Sequence, residues 1–163
     1  MLVVSNTSPL SNLAIIARLD LLREQFGTVT IPHGVRAELD RFQNEEARIS
    51  VERAIQADWL RVVSLIGGVP DDLALSLDIG EAEALALALE TKAALVLLDE
   101  SAARLKAHQF GIAFTGVLGI LRRARINGRI PSLKAEIQRL RTDARFFVAA
   151  PLEKRLLSSV GEA

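Results

Sequence analysis

Four oxygen-bearing side chains stand where a catalytic site would need them: Asn6, Glu38, Glu81 and Asp99. Asn6 closes the apolar run of VVSNTSPL (residues 3–10), and Asp99 closes the most apolar run of the chain, ALVLLD. Glu81 opens a segment of helical composition and Glu38 lies within another. Oxygen donors without cysteine or a usable set of histidines suit a hard divalent cation, Mg²⁺ or Mn²⁺. His33 and His108 are too far apart for a local metal motif and read as surface or packing residues. No GxxxxGK[ST], GxGxxG or GxSxG stretch occurs, which argues against nucleotide switches, dinucleotide enzymes and ordinary serine hydrolases. Ser8 has no nearby histidine to act as its base, so nucleophilic serine chemistry is poorly supported.

Helical periodicity separates these acids from their neighbours. In the segment that starts at Gly80, Glu83 and Glu90 are seven residues apart and share a face, while Glu81 falls on the side of Leu85, Ala88 and Leu89. Glu38 lies at the margin of the stripe Val35, Leu39, Phe42, whereas Asp40 points away. A carboxylate on an apolar face is costly unless something compensates it, so Glu81 and Glu38 are the anomalous acids and Glu83 and Asp40 the ordinary ones. Each residue also has a purely local reading. Asp78 to Glu81 fits a capping box, and Asp99 could cap the helix that follows it. Asn6, Thr7 and Ser8 could form a strand-to-helix turn with Ser8 as N-cap before Pro9, and Glu38 could pack its stem with its head in water.

The elements that must position these groups alternate along the chain. Strand-like runs are LVVS, TVTIP, AALVLLD and IAFT, with WLRVVSL as a third strand or extended segment. Helical segments are PLSNLAIIARLDLLREQF (with Arg18 as a point where it could break), HGVRAELDRF, EEARISVERAIQA, GEAEALALALETK, ESAARLKAHQF, VLGILRRARING and PSLKAEIQRLRTDA. GGVPDD reads as a loop, and FFVAAPLEKRLLSSV as an apolar stretch ending in a last helix. Such alternation predicts a largely parallel sheet covered on both faces, with ligands beyond the carboxyl ends of the strands, near the switch in strand order. Asn6 and Asp99 would then share one edge, with Thr115 at the end of IAFT as a peripheral contact.

The 163 residues suffice for one domain with a real core, and half of them are hydrophobic. A net charge of zero hides a division: residues 1–100 carry 8 Lys/Arg against 16 Asp/Glu, and residues 101–163 carry 12 against 4. The two parts could attract one another, or carboxylates could hold cations while a basic flank meets a polyanion. The arginines of LRRARINGRIP, Arg122, Arg123, Arg125 and Arg129, are the candidates for contacts to a nucleic-acid backbone, unless they lie on a solvated face or pair with acids. Absence of cysteine fits a reducing cytoplasm. Met1 leads straight into LVV without a basic leader, and no apolar run approaches the ~20 residues of a membrane span. The expectation is a soluble, cytoplasmic protein with no membrane partner.

The ordered set VVSNTSPL, AELD, LDIGEAEALALAL, ALVLLDE and FTGVLGIL, over residues 2–130, resembles the PIN-domain superfamily of metal-dependent nucleases, in particular a prokaryotic branch related to the toxins of toxin–antitoxin pairs. The resemblance implies a three-layer α/β/α sandwich around a short, mostly parallel sheet. It also implies an acidic pocket for one or two Mg²⁺ or Mn²⁺ ions and endonucleolytic cleavage of RNA. Carried over by position, the acidic set falls on Asn6, Glu38, Glu81 and Asp99, and Ser8 matches the small hydroxyl residue that supports the first of them. Asn6 departs from the aspartate usual there: an amide oxygen can coordinate a cation but brings no charge and cannot act as a base. Asp78 or Glu100 could supply the missing charge. This departure favours a rival reading, a non-catalytic PIN-fold module that binds RNA or a protein partner. A receiver-type protein phosphorylated on Asp99 is disfavoured, since no paired acids follow the first strand. Residues 131–163 read as a helical extension packed on or adjoining the domain of residues 1–130. Its stripe Leu133, Ile137, Leu140 could complete the core, form a homodimer or receive an antitoxin helix.

Overall fold

The computed structural model describes residues 1–163. In chain order the elements are β1 (Val3–Ser5), α1 (Thr7–Ile15), α2 (Asp20–Phe26), β2 (Val29–Pro32), α3 (His33–Asp40), α4 (Glu45–Gln56), β3 (Leu60–Val63), α5 (Asp71–Ser76), α6 (Ile79–Thr91), β4 (Leu95–Leu97), α7 (Ser101–Gln109), β5 (Phe114–Thr115), α8 (Val117–Ile126), α9 (Leu133–Asp143) and α10 (Ala150–Ser159). All five strands form one sheet, ordered β3-β2-β1-β4-β5, and every pairing is parallel. The expected α/β/α arrangement is what the chain adopts. Every residue of β1 and β2 is buried, as a strand covered on both faces must be.

The long helical segment after β1 does break near Arg18. Ala17 takes a left-handed conformation (φ 58°), and the Arg18 N–H bonds back to the Leu13 carbonyl at 2.8 Å. α5 lies where the sequence reading saw only a loop and an unassigned LALSL. Six residues are too few to show a helical period, and a single side chain, Leu73, anchors it in the core. Two glycines set how closely α3 and α6 approach. The position a Cβ would occupy on Gly80 is taken by the Glu38 carboxylate, and that on Gly34 by the Glu83 carboxylate. Glu83 therefore packs against α3 instead of standing free in solvent, contrary to its reading as the ordinary acid of its helix.

Leu133, Ile137 and Leu140 of α9 and Leu157 of α10 belong to the same core as the strands. α9 is also tied to the α1–α2 connection through Arg18, whose Nε and Nη2 both donate to Glu136 Oε1 at 3.0 and 2.7 Å. No helix is long and apolar enough to cross a membrane.

Candidate active site at the switch point

Strand order reverses between β1 and β4: from β1 the chain runs out to β2 and β3, then returns to β4 and β5. The crevice beyond the carboxyl ends of these two neighbours is where such a sheet places a ligand. Ser5 pairs with Leu97, so Asn6 and Asp99 emerge side by side at this edge, and the Asn6 N–H bonds the Leu97 carbonyl at 3.0 Å. Asn6 is 3 % exposed and the Asp99 side chain 7 %.

Hydroxyls and amides organise the acids around them. Thr7 Oγ1 donates to Glu38 Oε2 at 2.5 Å, Ser8 Oγ donates to Glu100 Oε1, and Asn6 Nδ2 donates to Glu100 Oε2 at 3.3 Å. Ser8 thus supports Glu100 and not the residue at position 6. Nor is Ser8 the N-cap, since α1 begins at Thr7 with Asn6 preceding it. Asp99 caps a helix, but not the one that follows it. Its Oδ1 accepts the Val117 N–H at 2.9 Å, at the start of α8, while Glu100 occupies the cap position of α7 without a side-chain bond. Arg104 Nη2 stands 3.8 Å from Asp99 Oδ1. Asn12 lies near the same carboxylate and helps to pull its pKa down. It went unnoticed in the sequence, although it lies four residues beyond Ser8 and so on the same helical face.

Glu81 is 8 % exposed and completes the capping box: Asp78 Oδ1 accepts the Glu81 N–H at 2.8 Å, and Glu81 Oε2 accepts the Asp78 N–H at 3.4 Å. Burial, with Asp78, Glu100 and Glu38 nearby, pushes its carboxyl up to about 6. Burial also pushes Asp99 up to about 6, against the opposing pull of the Val117 N–H and Arg104 and with the added push of Glu100. Two carboxyls are therefore held above their ordinary range at one edge of the sheet, a condition common at functional sites.

The donor set has open positions. Asn6 Oδ1 and Asp99 Oδ2 are both buried without a hydrogen-bond partner. Buried oxygens are nearly always satisfied, so two orphans at adjacent strand ends are a specific fit to an oxygen-ligated cation. No three acidic or imidazole side chains meet closely enough to hold an ion by themselves.

The remaining residues singled out in the sequence are more dispersed. Thr115 ends β5, half-buried, with Gly119 against its hydroxyl. Arg122 Nε donates to Ser159 Oγ at 2.8 Å, Arg125 Nε donates to Glu162 Oε2 at 3.0 Å, and Arg129 lies 3.5 Å from Glu24. Arg123 is exposed and has no side-chain partner. Arg122 and Arg123 border a cleft that also reaches Thr115 and Gly119.

The family described as PIN domain matches residues 2–162, so the match takes in the C-terminal helices that the sequence motifs did not reach. No curated protein matches the chain. PIN domains are generally nucleases, typically with divalent metals. The match over nearly the whole chain, on a five-stranded parallel sheet with its acids at the switch point, places this chain in the PIN-domain family.

Proposed function

We propose that the chain is a metal-dependent endoribonuclease that hydrolyses RNA phosphodiester bonds at the β1/β4 edge, using Mg²⁺ or Mn²⁺. The observation that carries this reading is the pair of buried, unpartnered oxygens, Asn6 Oδ1 and Asp99 Oδ2, at the ends of adjacent strands. Those two would be ligands, with Glu38, Glu81 and Glu100 as the surrounding charge. A bound divalent cation supplies a water of lowered pKa and neutralises the charge that develops on the phosphate. The chain's own part is to hold the oxygens still: Thr7 fixes Glu38, Ser8 fixes Glu100, and the capping box fixes Glu81. Glu100, bonded to the Asn6 amide, brings the negative charge that Asn6 lacks. Water attack without a covalent enzyme intermediate would leave 5′-phosphate and 3′-hydroxyl ends. The resemblance to toxins of toxin–antitoxin pairs supports a cytoplasmic setting and an antitoxin protein as partner.

The test is cleavage of a labelled RNA in Mn²⁺, Mg²⁺ and EDTA, with wild type beside Asp99→Asn. Metal-dependent cuts that fall by about 10²- to 10³-fold in the variant are the expected result. Cuts that persist in EDTA would overturn it. Asn6 favours a second reading, a PIN-fold module that binds RNA without cutting it. Silence in the wild type with activity restored by Asn6→Asp would mean a decayed enzyme. Silence in both, with RNA still bound, would mean the module.

A further inference from the structure

Phe147 is 85 % exposed, the most exposed aromatic side chain in a protein with no tyrosine and one, buried, tryptophan. It is not on a loose loop. Arg145 turns the chain after α9 in a left-handed conformation (φ 53°), and the Phe146 N–H then bonds the Leu140 carbonyl at 3.0 Å. Val148, one residue on, is 5 % exposed in the core, and its carbonyl accepts Arg141 Nη2 at 2.8 Å. A phenyl ring is thus held out in water between two anchored neighbours. Its ordering is already in place, yet its apolar faces remain uncovered.

The place where it is held is specific. Phe147 lines a cleft of about 400 Å³ whose other walls include Asp99, Arg104, Phe114 and Leu152. The cleft therefore opens beside Asp99, one of the two residues that carry an orphaned oxygen. Arg104 lies over the Phe114 ring, 5.5 Å from its centroid, and donates Nε to the Leu98 carbonyl at 2.9 Å. Its terminal nitrogens make no hydrogen bond shorter than the 3.8 Å approach to Asp99. A Cβ on Gly116 would strike both Arg104 and Asp99, so glycine is what lets the guanidinium and the carboxylate share this wall. Thr115 and Gly119 line this cleft and also the one bordered by Arg122 and Arg123, so the two clefts adjoin at these residues and offer a strand a track along α8. An aromatic platform, a cation with free donors and a second cationic stretch make up the chemistry that receives an unpaired nucleotide: a flat base, its phosphate, and the strand beyond.

We propose that this cleft binds an unpaired nucleobase of single-stranded RNA, stacked on Phe147 next to the phosphodiester presented at Asp99. The proposal rests on the nuclease reading and makes it more specific: the substrate is single-stranded at the cut, because a paired base presents no free face to the ring. Arg104 holds the adjoining phosphate.

The experiment is binding of a labelled single-stranded oligouridylate to the full chain in EDTA, where nothing is cut, by wild type, Phe147→Ala, Phe147→Trp and Ile66→Ala. Ile66 is 98 % exposed and lines none of the clefts described, so its variant controls for loss of a surface apolar group. Expected are a loss of about 5- to 150-fold in Phe147→Ala, near-native affinity in Phe147→Trp with its emission quenched by the RNA, and no change in Ile66→Ala. A duplex of the same length should bind equally to wild type and Phe147→Ala. Equal single-strand binding by Phe147→Ala and wild type would overturn the base site while leaving the nuclease reading intact. Absence of RNA binding by the wild type would overturn the base site, and the cleavage assay in Mn²⁺ and Mg²⁺ would still decide the nuclease reading.

Discussion

In the C-terminal helices, charge meets charge. Glu136, 3 % exposed, accepts Arg18 on one oxygen and Arg139 on the other. Glu162 accepts the Leu133 and Lys134 N–H groups, the Ser132 hydroxyl and Arg125 Nε, between 2.7 and 3.1 Å, and so holds the start of α9 to the end of the chain. Despite the cost of burial, those bonds hold its carboxyl below the usual range. At the β1/β4 edge the outcome is the reverse. Asp99 and Glu81 are pushed up to about 6, and two buried oxygens have no partner. Both regions draw on the same residue types. The difference is that one uses its carboxylates as fastenings, and the other keeps them short of cations. The fold satisfies Glu162 four times over and leaves Asp99 Oδ2 bare, which is the opening that the proposed cation would use.

The contrast breaks first if Glu136→Ala is harmless. Glu136 is buried but its partners Arg18 and Arg139 reach solvent, so the loss is that of charge-assisted bonds and packing, about 2 kcal/mol. For a chain of this size that lowers the melting temperature by roughly 4–8 °C. Metal-dependent cleavage per folded molecule, measured well below the transition, should stay at the wild-type level. A loss of activity without a loss of stability would mean that the C-terminal helices are not merely fastenings.

The second effect is smaller for each group and of opposite sign. A group whose pKa is higher in the folded than in the unfolded chain favours folding while protonated, and that contribution disappears as pH rises through the folded value. Asp99 and Glu81 titrate near 6 when folded, against ordinary values near 4. The protein in EDTA should therefore be more stable at pH 5 than at pH 7.5, by about 1.4 kcal/mol from Asp99 and a little less from Glu81. Arg141 holds Glu153 below the usual range, and Glu162 is lowered likewise, so both stay ionised at pH 5 and do not blur the comparison. Denaturant melts at the two pH values measure the difference. Asp99→Asn should abolish about half of it, and Mn²⁺ should raise stability at pH 7.5 in the wild type. A flat profile would mean that these carboxylates are not under strain.

How far the sequence revealed this depends on how local each relation is. The ends of β1 and β4 were legible because VVS and ALVLL are apolar runs cut off by Asn6 and Asp99, and the parallel-sheet rule then brings those ends together. The capping box at Asp78 and Glu81 was legible because it spans one helical turn. The service of Asp99 to α8, eighteen residues on, was not, since a cap supplied from another element leaves no spacing to read. The same holds for Glu162, whose partners lie about thirty residues away. The Asn12 contact could have been found, had the helical face of Ser8 been followed one more turn.

The arginines of α8 bring the contrast down to single side chains. Arg122, Arg123, Arg125 and Arg129 look equivalent in LRRARINGRIP, and by composition alone all four would contact an RNA backbone. The fold sorts them: Arg125 is bound to Glu162 and Arg129 is near Glu24, while Arg123 is exposed and unpartnered beside the cleft. An arginine already bonded to a carboxylate displaces few counterions when a phosphate arrives, so Arg123 should show in the salt dependence of binding and Arg125 should not. With single-stranded RNA in EDTA, Arg123→Ala should reduce the slope of log K against log salt by about 0.7, the value for one phosphate contact on a single strand. Arg125→Ala should leave the slope nearly unchanged and lower the melting temperature instead, because Glu162 loses one of the four groups that hold it. Equal slopes in both variants would mean that the strand does not run along α8, and the track from Asp99 to Arg123 would have to be abandoned.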